Sequence, residues 1–244
     1  MFPIRDLSRT HTTALVTIAV VALNLVAFFA WQPRELDESI AFLYQRAAIA
    51  CELIGGAPVS VQQLEAGRCV DDAGARPIFP DKGLALSVLV SMFLHGGLLH
   101  LLGNLWFFWI FGNNVEEAFG HVGFTLLYLL SGVAATAAFV LLRPDSVQPL
   151  IGASGAVAGV LGAYFVLFPT HLILAVWFLG LVPVPAVVFL GLWFFGQFSV
   201  ADPGVAWEAH VAGFVVGATV ALLLRGALLR RVRRLHGAAR APIW

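Results

Sequence analysis

The sequence predicts an all-α polytopic membrane protein, a bundle of six transmembrane helices. Three observations predict it. Of the 244 residues, 60% are hydrophobic and only 11% charged, too few polar side chains to cover a water-soluble domain of this size. Two long stretches, 84–115 and 146–201, contain no Asp, Glu, Lys or Arg. Basic residues crowd both ends: Arg5 and Arg9 precede the first apolar run, and Arg230, Arg231, Arg233, Arg234 and Arg240 fill the tail. Because cytoplasmic flanks carry the positive charge, both ends are expected in the cytoplasm and the number of spans is even. A basic tail at headgroup depth reads as a topology anchor, so a nucleic-acid partner is not expected.

Residues 1–13 form the cytoplasmic N-terminus and 14–31 the first helix. That run is uncharged and long enough to span with its flanks. No small-residue cleavage pattern follows it, so it reads as a retained helix rather than a removed signal peptide. Residues 32–97 form an exoplasmic loop, partly interfacial. Its 34–82 stretch has five basic and eight acidic residues, a net −3, together with Gly55, Gly56, Pro58, Pro77 and Pro80. A short helix is expected near 39–53. Cys51 and Cys69, the only cysteines, lie on the oxidising side, where they either pair or stay free thiols.

The remaining spans occupy 98–224. The second covers 98–115 and follows a break at His95-Gly96-Gly97. Glu116, Glu117 and Gly120 make an inner turn, and the third span covers 122–142. Prolines divide the uncharged 146–201 stretch. The fourth span is then 154–168 and the fifth 183–198, with 172–182 either an interfacial segment or an extension of the fifth helix. Asp202-Pro203-Gly204 turns the chain outside. The sixth span is 208–224, ahead of the basic cytoplasmic tail at 225–244.

Polar side chains in lipid are costly and need an account. His100 and Asn104, four apart, share a helix face. Ser154 opens the fourth span and His210 the sixth. Spans two, four and six all start from the outside, so these four residues lie in one layer about 10 Å deep, at about 1.5 Å of rise per residue. Gly213 and Gly217 lie on the face of His210; Gly155 and Gly159, with Ala158 and Gly162, give the fourth span a small-residue surface. Such faces let two backbones approach closely, which brings Ser154 within reach of His210. Small residues around a serine are by default a packing surface; three polar partners at one depth favour a nucleophile instead. A histidine beside a serine can take its hydroxyl proton and return it to a leaving group. Glu208 points to a different face and Asp202 lies in a loop, so a dyad fits better than a triad. A metal reading of His95 and His100 lacks a third ligand, and no cofactor is expected.

These residues resemble the rhomboid family of intramembrane serine proteases. The matching pieces are His95-Gly-Gly-Leu-Leu-His100-Leu-Leu-Gly-Asn104, Glu116-x-x-x-Gly120, Gly152-Ala-Ser154-Gly155 and His210-x-x-Gly213-x-x-x-Gly217. The resemblance makes 98–224 a catalytic core, with Ser154 the nucleophile and His210 the general base. It places His100, Asn104 and the Ser154 N–H in an oxyanion hole, with Gly152 shaping the adjacent turn. It implies other proteins' transmembrane helices as substrates, cut near their outer ends, and neither metal nor cofactor. Six spans match the basic bacterial form, which implies a bacterial inner membrane; the oligomeric state is not implied. Two departures stand out. Ala158 occupies a position where some members carry an aromatic beneath the histidine, and a Trp-Arg pair of the first loop is absent. The alternative is a non-catalytic rhomboid-like protein that binds or escorts membrane helices. A transporter would need intramembrane charges or a repeat, and neither appears.

Overall fold

The computed structural model describes residues 1–71, 74–178, 180–199 and 204–238. Asp202 and Pro203 of the expected outer turn, and Arg240 of the tail, lie outside the described residues. The chain is mainly helical, as its apolar runs require, and it is an all-α membrane fold with two small sheets. Helix α1 (Leu15–Val26) continues as a π-helical turn, Ala27–Trp31. Its first amides have no partner within the helix, and Glu116 supplies one: its carboxylate accepts from the N–H groups of Val16 and Thr17 at 2.8 and 2.7 Å. Glu117 accepts from the N–H groups of His11 and Thr12, in the segment just ahead of the helix. Negative charge at a helix start is favourable.

Helix α6 (Leu98–Leu142) contains both the second and third expected spans. Its single non-helical residue is Gly120, at φ 71° and ψ 164°, a left-handed conformation that glycine tolerates at little steric cost. There the helix folds back, since the Phe108 and Phe124 rings stack with centroids 5.9 Å apart. Helix α9 (Trp207–Ala238) is the other long one. Leu98–Leu142 and Trp207–Gly237 are long and apolar enough to cross a membrane, whereas Leu15–Trp31, Ser154–Leu167 and Ala186–Ser199 are shorter apolar helices. The fourth and fifth expected spans are thus short: α7 (Ser154–Leu167) and α8 (Ala186–Gly196), the latter extended by a 3-10 turn, Gln197–Ser199.

The helix at the fifth expected span starts three residues later than expected because strands occupy 172–177 and 180–185. Strands β4 (Leu172–Trp177) and β5 (Gly180–Pro185) pair antiparallel, Leu172 with Pro185 and Trp177 with Gly180. Pro183 and Pro185 could not extend a helix backward without losing its bonds. The segment is therefore not an extension of the fifth helix. A third strand, β1 (Phe2–Asp6), lies within the expected N-terminal segment and pairs with β4. It runs beside α6, where the Trp106 indole donates to the Pro3 carbonyl at 2.7 Å. The Asp6 carboxylate accepts from Asn114 at 2.7 Å and from the Tyr164 hydroxyl.

The loop is more structured than expected. It holds α2 (Leu36–Arg46), β2 (Ala48–Ile49), α3 (Ala50–Gly55), α4 (Val61–Ala66) and α5 (Leu84–Ser91). The helix expected at 39–53 is thus broken after Arg46. Strand β2 pairs with β3 (Pro149–Leu150), just ahead of Ser154. Cys51 and Cys69 are disulfide-bonded. Their backbone N–H groups donate to the carbonyls of Ser146 and Asp145, each at 3.0 Å, so the loop clamps the segment that leads to α7.

Beneath the loop, Lys82 Nζ lies 2.5 Å from Glu52 Oε2, with both side chains only 1% exposed. Burial pushes the Glu52 carboxyl above its ordinary pKa, opposed by Lys82 and the Val59 N–H; burial pushes the Lys82 ammonium down, opposed by Glu52. Lys82→Met leaves the carboxylate buried without its cation and should cost about 3 kcal/mol at neutral pH. A carboxyl with a raised folded pKa stabilises most below its unfolded pKa, and that contribution is lost as pH rises through the folded value. The deficit of Lys82→Met should therefore shrink between pH 7 and about pH 4, as read by thermal unfolding in detergent. A deficit that does not change with pH would reject this account.

Candidate active site

Helix α7 stands at the centre of the bundle, with Gly155 to Tyr164 all buried. Its small residues meet those of α9. A methyl group on Gly213 would overlap the Gly155 carbonyl, and one on Gly217 the Gly159 carbonyl. On the other side of α7, a methyl on Gly155 would overlap Ala135 of α6. This seam sets the starts of α7 and α9 side by side. Ser154 Oγ lies 2.8 Å from His210 Nε2, within ordinary hydrogen-bond range.

The pair lines a cavity of about 900 Å³ that His100, Asn104, Trp193 and Leu150 also line. His100 lies against Gly152: a side chain there would sit 2.8 Å from His100 Nε2, and the backbone has φ +115°. Both facts call for glycine at 152. The Gly152 N–H donates to the Ser91 carbonyl at 2.9 Å, while Ser91 Oγ accepts from the Ala48 N–H at 2.7 Å. The turn before Ser154 is thereby fastened to α5 and to the loop. Asn104 Nδ2 donates to the His100 carbonyl at 3.0 Å, and its amide carries a second N–H. Ser154 is the first residue of α7, where amides lack intrahelical acceptors. All four predicted polar residues, Ser154, His210, His100 and Asn104, therefore line one cavity; Gly155, Gly213 and Gly217 lie in the seams around α7, and Gly152 lies in the turn before Ser154.

His95 stays outside this group. It is buried with its ring 5.1 Å from that of His100, and its backbone exchanges two hydrogen bonds with the Gln32 side chain, at 2.9 and 3.0 Å. That pair ties the end of the first helix to the start of α6. Glu208 is engaged elsewhere, its Oε1 2.7 Å from Arg143 Nε. Among the described residues no group of three or more His, Cys, Asp or Glu side chains is arranged to hold a metal ion.

Two residues were not predicted. Gln197, only 8% exposed, presents Oε1 to His210 Nδ1 at 2.7 Å. The Trp193 ring lies 6.2 Å from the His210 ring, tilted by 35°. Both belong to the α8 region, Trp193 to the helix and Gln197 to the 3-10 turn that extends it. The available signal was an amide in an otherwise apolar run, 183–198.

A family model described as "Rhomboid domain" matches residues 83–227. Rhomboid protein 1, mitochondrial, of Saccharomyces cerevisiae is 31% identical over 165 residues, covering 64% of this chain and 46% of that protein. RHOMBOID-like protein 6, mitochondrial, of Arabidopsis thaliana is 37% identical over 76 residues, covering 31% of this chain and 24% of its own length. Inactive rhomboid protein 1 of Homo sapiens is 32% identical over 155 residues, covering 61% of this chain and 17% of its own. The chain spans less than half the length of each of these relatives. They are eukaryotic, and two are mitochondrial by name, so they lend no support to a bacterial inner membrane. With the family model matching more than half of its length, the chain belongs to the rhomboid family.

Proposed function

We propose that the protein is an intramembrane serine endopeptidase that cuts transmembrane helices of other proteins by a Ser154–His210 dyad. The observation that carries this reading is the 2.8 Å contact between Ser154 Oγ and His210 Nε2 in a cavity also lined by His100 and Asn104. As Oγ attacks the peptide carbonyl carbon, its proton passes to His210 Nε2, and the carbonyl π electrons move onto oxygen. The oxyanion is met by His100, the Asn104 amide and the Ser154 N–H. On collapse the C–N bond breaks, and His210 gives its proton to the leaving amine. Water, deprotonated by the same histidine, then hydrolyses the acyl-serine.

The same reading gives six membrane spans, both termini in the cytoplasm and the cavity near the outer face, open to water and to helices arriving from the bilayer. Charge placement supports it.

The match to Inactive rhomboid protein 1 favours a second reading, a non-catalytic protein that binds or escorts membrane helices. Labelling by a fluorophosphonate separates the two. The dyad reading expects covalent modification at Ser154, located by mass spectrometry and reduced at least about 100-fold in rate by His210→Ala, since an unactivated hydroxyl is a weak nucleophile. No labelling of folded protein, or equal labelling without His210, would favour the escort.

A further inference from the structure

The geometry points to Gln197 as the positioning residue for His210: an amide on the outer end of the fifth helix that fixes the tautomer and ring orientation of the histidine. The inference rests on the dyad reading above. Its support is the hydrogen-bond directions. Gln197 Nε2 donates to the Trp193 carbonyl at 3.0 Å. A carbonyl only accepts, so the amide nitrogen must face Trp193 and the amide oxygen must face His210. Oε1 then lies 2.7 Å from Nδ1, and since an amide oxygen also only accepts, Nδ1 carries the proton. In a neutral imidazole that leaves the lone pair on Nε2, the atom 2.8 Å from Ser154 Oγ. A chain of three hydrogen bonds, from Trp193 through Gln197 to His210, thus ends on the serine proton that has to be removed.

The role resembles that of the carboxylate in a triad, with one difference. A neutral amide orients the ring but adds little charge to hold an imidazolium once it forms. Trp193 backs the arrangement twice, through its carbonyl and through the ring beside His210. The other titratable groups around His210 are His100, across the cavity on α6, and Glu208, already paired with Arg143. The residue that orients the base is therefore in the 3-10 turn that extends α8, outside both α7 and α9. Any displacement of α8 away from α9 breaks the Gln197–His210 bond, so that a correctly protonated dyad requires α8 in place.

The test is Gln197→Leu and Gln197→Glu, each compared with parent and Ser154→Ala in liposomes carrying a single-span substrate. Gln197→Leu should lower kcat roughly 10- to 100-fold with little change in KM, the scale of one lost hydrogen bond. Gln197→Glu should keep most of the rate and move the acid limb of the kcat/KM profile to higher pH, because a carboxylate favours the imidazolium. Nitrogen-15 NMR of labelled histidine in detergent gives a readout independent of turnover. The His210 signal, assigned by its loss in His210→Ala, should report protonated Nδ1 in the parent and a mixture of tautomers in Gln197→Leu. Parent-like kcat and pH profile in both variants, or an unchanged tautomer in Gln197→Leu, would overturn the inference while leaving the dyad standing. Full activity in Ser154→Ala would instead overturn the dyad.

Discussion

Ser154→Ala should reduce cleavage of a single-span substrate in liposomes by at least about 10⁴-fold, with thermal stability close to that of the parent. The magnitude follows from the loss of a covalent nucleophile, which ordinarily removes most of the rate that a dyad supplies. The stability expectation follows from the site. Ser154 is partly exposed to the cavity, and losing its hydroxyl leaves His210 Nε2 facing the cavity rather than an apolar wall. His210→Ala should match it in activity, and the double variant should be little worse, because in the proposed mechanism the two residues act as one unit. Cleavage by Ser154→Ala at the parental rate would reject the mechanism.

Gly217→Ala should have the second largest effect, and it acts through packing. The added methyl would overlap the Gly159 carbonyl, which belongs to the buried core of α7 and has no room to retreat. Overpacking of this kind costs about 1–3 kcal/mol and pushes α9 off α7. A separation of even 1 Å would stretch the 2.8 Å contact between Ser154 and His210 and can cost about 100-fold in rate. Gly237→Ala, on the same helix with nothing within 4 Å of the added carbon, should leave both rate and melting temperature near parental. If Gly217→Ala melts and cleaves like Gly237→Ala, the seam does not set the dyad.

Much of the site was legible because it depends on regularities a sequence displays. Helix periodicity put Gly213 and Gly217 on the face of His210, and the direction of each apolar run put Ser154, His210, His100 and Asn104 at one depth. The structure brings those residues to one cavity. Gln197 was not legible in the same way. It lies in an apolar run, and its partner is thirteen residues on in another helix. No periodicity connects them. The sheet was illegible for a related reason: β1 pairs Phe2–Asp6 with a segment near residue 175, and a charged N-terminal stretch gives no sign of so distant a partner. The cysteines left both states open, since composition cannot measure the separation between two points of one loop.

The disulfide has a practical consequence for anyone handling the protein. Cys51 and Cys69 each hold, through a backbone bond, one of two neighbouring carbonyls in the segment that runs on to Pro149, Leu150 and Ser154. Leu150 and Pro149 are also part of the cavity wall. Thiol reductant, added by habit to protect membrane proteins during purification, would here loosen the frame behind Ser154. The choice of buffer becomes an experimental variable rather than a background condition, and preparations made with and without reductant should be treated as two different samples.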